Sequence, residues 1–149
     1  MTIVCEHSTD LAASPEAVFA LLDDFERLPQ WHAHCEGLAK IGPGANMAGD
    51  RLRYAHCEGG KHHLMDGVIL SHDAPYRLTC RYFDKSMQVI VDFRLVGTET
   101  GTYLTHRIEI TPHSLMARMT APLIHAKADA QARQALNNLA RFLSRQMAA

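Results

Sequence analysis

The sequence predicts an α+β fold in which an antiparallel sheet of about seven strands is backed by a long C-terminal helix, with two short helices after the first strand. Three observations carry this. Helical periodicity is confined to the stretch opened by Ser14-Pro15-Glu16 and to the stretch from Ser114 to Met147. Between them, everything from Cys35 to Thr111 reads as short strands and turns. Counting residues across those turns sends the apolar side chains to one face and the charges to the other, as an antiparallel sheet with one wet side requires.

Thr2 to Leu11 mixes β-branched and polar residues and reads as the first strand. Ser14 and Pro15 are an N-cap and a first helical residue, and Val18, Phe19, Leu21 and Leu22 follow at helical spacing. Asp23 and Asp24 break that helix. Phe25 to His32 reads as a second helix, kept short by Pro29. Glycines at 37, 42, 44 and 49 surround a short strand at Leu38–Ile41.

From Arg51 onward the strands pair by counting. Arg51 to Glu58 and Lys61 to His72 flank Gly59-Gly60, a two-residue hairpin signal. Tyr76 to Phe83 and Ser86 to Val96 flank Asp84-Lys85, and Thr102 to Thr111 follows a turn at Thr98 to Gly101. The registers then oppose His56 to His63, Tyr54 to Met65, Ile69 to Cys80, Tyr82 to Met87, Leu78 to Val91, Phe93 to His106 and Val91 to Ile108. Ser71 and Tyr76 join the same face. Arg77, Arg81, Asp92, Arg94, Arg107 and Glu109 fall on the other. Leu64, Val68 and Leu70 also land on the wet face, which calls for a bulge, a cover or a homodimer surface.

In the last element, Ala128, Ala132, Ala135, Leu136, Leu139, Leu143 and Met147 recur at three and four residues and form one stripe. Ser114 is its N-cap, and Pro122 predicts that Leu115–Ala121 meets the rest at an angle.

A chain of 149 residues, 47% hydrophobic and 21% charged, is expected to form one domain spanning residues 1–149. No run approaches the ~18 apolar residues that span a bilayer, and the first residues lack the basic and apolar regions of a secretory signal. Integral membrane association is therefore not expected, and a cytoplasmic location is. Cys5, Cys35, Cys57 and Cys80 are widely spaced and read as thiols in a reducing compartment. A net charge of -1 argues against a nucleic-acid partner. Trp31-His32-Ala33-His34-Cys35 and His62-His63 offer metal donors, but no HExxH or CxxC spacing accompanies them, so no metal and no cofactor is expected.

The element order, together with Ser14-Pro15-Glu16-Ala17-Val18-Phe19, Asp24, Leu28-Pro29-Gln30-Trp31, Gly67-Val68-Ile69, Asp73-Ala74-Pro75-Tyr76-Arg77-Leu78, Gly101-Thr102-Tyr103-Leu104-Thr105 and Ala135-Leu136-Asn137-Asn138-Leu139, resembles the START-like, polyketide cyclase/dehydrase and lipid-transport superfamily (SRPBCC). The resemblance implies a helix-grip fold: a curved sheet wrapped around the long helix, with a cavity between them and the two short helices closing one end. It also implies a hydrophobic small molecule as partner. Members that look like this include carriers of lipids and hydrophobic molecules, cyclases and aromatases, dioxygenase subunits and chaperone co-factors, so fold alone does not give activity.

On the inward face the register places Tyr54, His56, His63, Tyr76, Tyr82, Phe93 and His106 as candidate ligand-binding residues, with Met116 and Met119 as a flexible wall. The expected function is binding of a lipid, polyketide-like or aromatic molecule through apolar area and a few hydrogen bonds. A cyclase, dehydratase or aromatase is the alternative. In it, His106 or His63 would remove a proton beside a carbonyl, and a tyrosine such as Tyr82 would hydrogen-bond the developing enolate. A protein-interaction module is the third reading, resting on Leu64, Val68 and Leu70. Trp31 is expected to plug the short helices onto the sheet or to line the cavity.

Overall fold

The computed structural model describes residues 1–148. Strand β1 (Ile3–Leu11) leads into helix α1 (Pro15–Asp23), where the Ser14 hydroxyl accepts a hydrogen bond from the Ala17 N–H at 3.2 Å and Pro15 occupies the first turn. Val18, Phe19, Leu21 and Leu22 form its buried face. The Asp24 N–H reaches back to the Leu21 carbonyl and ends the helix. The second helix is split into a 3₁₀ turn (Phe25–Arg27) and α2 (Leu28–Trp31), which places Pro29 in a first turn, where its missing N–H costs nothing.

Strands β2 (Cys35–Lys40), β3 (Arg51–Glu58), β4 (Lys61–Asp73), β5 (Arg77–Phe83), β6 (Met87–Thr98) and β7 (Gly101–Pro112) join β1 in one antiparallel sheet ordered β1-β7-β6-β5-β4-β3-β2. The registers across Gly59-Gly60 and between β6 and β7 are as counted: His56 opposes His63, Tyr54 opposes Met65, and Phe93 opposes His106. Two details differ. Between β5 and β6, Tyr82 opposes Val89 and Leu78 opposes Phe93, two residues away from the expected partners Met87 and Val91. The cause is Asp84, whose carboxylate accepts from the Ser86 and Met87 N–H groups and so makes a four-residue turn where the sequence suggested two. Because the slip is even, no side chain changes face.

The second difference is a bulge in β4 between Ile69 and Ser71. It moves Ser71 off the inner face, opposite Thr79, and turns His72 inward opposite Leu78. There His72 hydrogen-bonds Asp23 at 2.9 Å and meets the Phe19 ring edge-on, tying the sheet to α1. The bulge does not rescue the apolar residues of the wet face. Leu64 and Leu70 stay exposed and Val68 half-buried.

On the outer face Asp92 is buried beneath Arg77 and Arg94, with the Thr79 hydroxyl donating to it. Burial alone would raise its carboxyl, but hydrogen bonds from Thr79, Arg77 and Arg94 outweigh that and hold it below the usual carboxylate range. The strand that follows, β7, starts against the end of β1: a Cβ at Gly101 would run into the Leu11 carbonyl, and the buried Thr102 hydroxyl donates to the Ala13 carbonyl at 2.7 Å.

The C-terminal element is broken, not bent. Helix α3 (Leu115–Met119), capped by Ser114, ends at Thr120, and α4 (Ala121–Ala148) starts anew with Pro122 in its first turn. The buried residues of α4 run from its middle toward its C-terminus: Ala132, Ala135, Leu136, Leu139 and Leu143. His7 on β1 holds the middle of the helix through Asp129 at 2.7 Å. The start of α4 meets the sheet at β1, where the Cys5 thiol donates to the His125 carbonyl at 3.8 Å, whereas Val89, Val91 and Ile108 farther along the inner face remain only half-buried. The space between is the cavity.

Candidate ligand cavity

The cavity has a volume of about 460 Å³ and lies between the inner face of β3–β7, the start of α4 and the α1–α2 segment. That falls within the roughly 300–1,000 Å³ of small-molecule pockets. Its floor and far wall are apolar, made by Met65, Leu78, Val89, Val91, Ile108 and Ile110 with Leu22, Phe25, Leu28 and Leu38. Polar groups are concentrated in two places and joined by a ladder of rings.

The inner end is formed by Trp31, His32, Phe93 and His106. Strand pairing sets His106 opposite Phe93, and the two rings stack at 4.4 Å with planes 7° apart. Trp31 at the end of α2 meets the edge of Phe93 at 6.4 Å and His32 at 6.2 Å. Trp31 Nε1, His32 Nδ1 and His106 Nδ1 are buried and have no hydrogen-bond partner among the described residues. Each such atom costs about 1–3 kcal/mol in an unliganded fold. Burial drives both imidazoles to the neutral form. It lowers His106 to about 3, with the neighbouring His32 and His7 adding to the effect, and His32 to about 4, helped by His34. At neutral pH the inner end therefore carries no charge.

Tyr82, Tyr54, His56 and His63 climb from the interior to the mouth as one ladder, with ring centroids 4.8, 5.2 and 5.0 Å apart. Burial raises the Tyr54 and Tyr82 phenols well above their ordinary value, so both stay protonated and can donate. Desolvation, then His63, lowers His56. At the mouth, Glu58, Asp84 and Ser86 face Lys127 and Gln131 of α4 across the opening.

The structure thus brings Tyr54, His56, His63, Tyr82, Phe93 and His106 to one cavity wall. It does not bring the other three candidates there. Tyr76 lies before β5 begins, in the turn after Asp73, and is 54% exposed; its carbonyl accepts from the Leu95 N–H at the sheet's far end. Met116 and Met119 are exposed: they lie on the separate short helix α3, which ends at Thr120 and has no buried residue. In their place Leu123, Ile124 and Ala128 of α4 form that wall. The sequence alone marks His32 only as a metal donor. Its position directly after the buried Trp31, at a helix end facing the sheet, is the signal that would have placed it in the site.

The tightest point in the wall is Gly67, which lies beneath the ring of Tyr82. A Cβ there would be 2.7 Å from Tyr82 Cδ1 and 3.2 Å from the Arg81 carbonyl. Gly67→Ala is expected to push the ring off its seat toward Tyr54, costing about 1–3 kcal/mol in urea unfolding and changing the near-ultraviolet tyrosine dichroism. An unchanged tyrosine signal would mean that Tyr82 does not rest on Gly67.

A family model described as polyketide cyclase / dehydrase and lipid transport matches residues 2–143. No curated protein sequence matches the chain. Among solved structures, the chain is similar to the Zhui aromatase/cyclase of Streptomyces sp. R1128, at a TM-score of 0.83 and 12% identity, covering 99% of this chain and 96% of that one. It is similar to a START superfamily protein of Mycobacterium smegmatis, at a TM-score of 0.76 and 16% identity over 94% and 98% of the two chains. It is also similar to SA2116 of Staphylococcus aureus, a protein of unknown function, at a TM-score of 0.80 and 13% identity over 100% and 98%. At these identities the structures speak for the helix-grip fold alone.

Proposed function

The chain belongs to the polyketide cyclase/dehydrase and lipid transport family, and from that premise we propose that its cavity binds one uncharged hydrophobic molecule carrying a hydroxyl or carbonyl oxygen. The observation that carries this is the trio of unpartnered nitrogens on Trp31, His32 and His106 at the inner end of a cavity whose floor and far wall are apolar. A ligand oxygen among these rings would recover part of their desolvation cost, while the aliphatic wall supplies affinity by area. A carboxylate or phosphate head has no counter-charge at that end, because both histidines there are neutral. The ladder from Tyr82 to His63 would bind a second polar group nearer the mouth.

The cyclase or dehydratase reading is second. Protonated phenols beside neutral imidazoles are the pieces it needs, and the resemblance to the Zhui aromatase/cyclase is consistent with it. Against it, the burial that lowers His106 to about 3 makes that ring a poor base for a carbon acid. His63, exposed at the mouth, is then the better-placed base. All four cysteines are free thiols, which fits a cytoplasmic setting.

Native mass spectrometry of freshly purified protein, followed by solvent extraction, is expected to release a neutral hydrophobic molecule. The chain has one tryptophan, Trp31, and it lines the cavity. Its fluorescence should respond to long-chain alcohols and methyl ketones and not to the matching carboxylates. Protein that runs without an adduct, and whose fluorescence ignores all of these probes, would defeat the binding reading.

A further inference from the structure

On the opposite side of the sheet from the cavity, three strands bring together a set of donors that no sequence motif announces. Cys57 on β3 and His62 on β4 are register partners, and Glu36 is the extra residue of the bulge in β2 between Cys35 and Gly37. The bulge swings the Glu36 carboxylate over its neighbours, where its Oε1 is 2.7 Å from His62 Nδ1. Donor atoms of all three residues lie within 4.8 Å of one another. Among the described residues Cys57 is the one cysteine that is not buried; Cys5, Cys35 and Cys80 are all enclosed in the core.

We propose that Glu36, Cys57 and His62 form a binding site for a divalent transition-metal ion, with zinc the best match. Thiolate, imidazole and carboxylate together suit zinc and its neighbours in the first row, and disfavour the hard magnesium and calcium ions. Zinc bonds of about 2.0–2.3 Å in a tetrahedral set hold donors roughly 3.5 Å apart, a spacing reached here by side-chain adjustment on paired strands. Binding takes the proton from the Cys57 thiol and any proton that His62 Nδ1 shares with Glu36, and both leave to solvent. Thiolate and carboxylate then balance the two charges of the ion. With three protein ligands the fourth position stays open to water.

The place of the site in the fold gives it a consequence for the cavity. Side chains alternate across a strand, so Cys57 and His62 on the outer face are the immediate neighbours of His56 and His63 on the inner one. An ion there ties β2, β3 and β4 together behind the mouth of the cavity.

Cobalt(II) titration of the whole protein tests this directly. One cobalt per chain is expected, with the near-ultraviolet charge-transfer band of a cobalt–thiolate bond, and added zinc should bleach it. Cys57→Ser should abolish the band. His62→Ala and Glu36→Gln should weaken binding by more than the roughly 10–100-fold that loss of even an outer-shell partner costs. All three positions are outside the core, and an unchanged far-ultraviolet dichroism spectrum identifies variants that remain folded. Absence of the band in wild-type protein, or its persistence in Cys57→Ser, would overturn the assignment. The other nine histidines of the chain can bind cobalt loosely, but they give no thiolate band.

Discussion

Leu139→Ala is expected to lower the unfolding free energy by about 2–5 kcal/mol, the range for truncating a fully buried leucine. Leu139 is 0% exposed and lies at the centre of the α4 stripe, between Ala135 and Leu143. Leu139 belongs to one buried core cluster with Ala135, Leu136, Leu143 and Leu104, all 5% exposed or less, so the surroundings have little freedom to collapse into the gap. Relaxation should be incomplete and most of the lost volume should remain as a void. Asn137→Ala, on the exposed face of the same helix, is the control and should change stability by less than about 0.5 kcal/mol. Urea unfolding followed by far-ultraviolet dichroism reads both. Leu139 does not line the cavity, so folded Leu139→Ala protein should bind ligand as wild type does. A loss below about 1 kcal/mol would mean that the second half of α4 is not packed on the sheet as described.

What could be read from the sequence follows from which physical signals are local. Turn chemistry is local, so Gly59-Gly60 fixed the His56–His63 pair and the short turn at Thr98–Gly101 fixed Phe93 against His106. Where a side chain enters a turn, counting fails: the Asp84 carboxylate holds two N–H groups and lengthens the loop by two residues. The alternation of faces survived that slip because it was even. It did not survive the bulge at Leu70, which replaced Ser71 by His72 on the inner face.

The α4 stripe was legible from its period: five of its seven members are buried, while Ala128 is half-buried and Met147, in the last turn beyond the core, is 61% exposed. What spacing does not carry is where the helix leaves the sheet. Pro122 was visible in the sequence, but whether it kinks a helix or starts one depends on the break at Thr120. That choice decides whether Met116 and Met119 face the cavity or the solvent. The Glu36, Cys57 and His62 cluster was illegible for the opposite reason: each donor comes from a different strand, so no spacing along the chain could announce it.

The cavity's inner end makes the sharpest prediction, because there stability and binding should move in opposite directions. His106→Phe keeps the stack on Phe93 and removes a buried nitrogen without a partner, and the open cavity beside it accepts the larger ring. At pH 7 the variant is expected to be as stable as wild type or more stable, by up to about 1–3 kcal/mol. Its affinity for an uncharged oxygenated ligand should fall by about tenfold or more, the worth of one hydrogen bond in a dry site.

The pH dependence of stability should separate the two proteins further. In the unfolded chain a histidine takes up its proton near 6.5, whereas in the fold His32 does so at about 4 and His106 at about 3. Between those limits the unfolded state binds more protons than the native one. Stability is therefore full above about pH 6.5 and falls as the pH drops, on the order of 1.4 kcal/mol per pH unit for each of the two rings. His106→Phe should lose about half of that slope between pH 6 and roughly 4. Urea midpoints measured across this range, alongside ligand titration at pH 7, give both results from one variant. If His106 were an ordinary packing residue, its replacement would leave binding untouched. If it were hydrogen-bonded in the free protein, stability would fall together with binding, and the inner end would not be the unsatisfied polar cluster that the proposed binding mode requires.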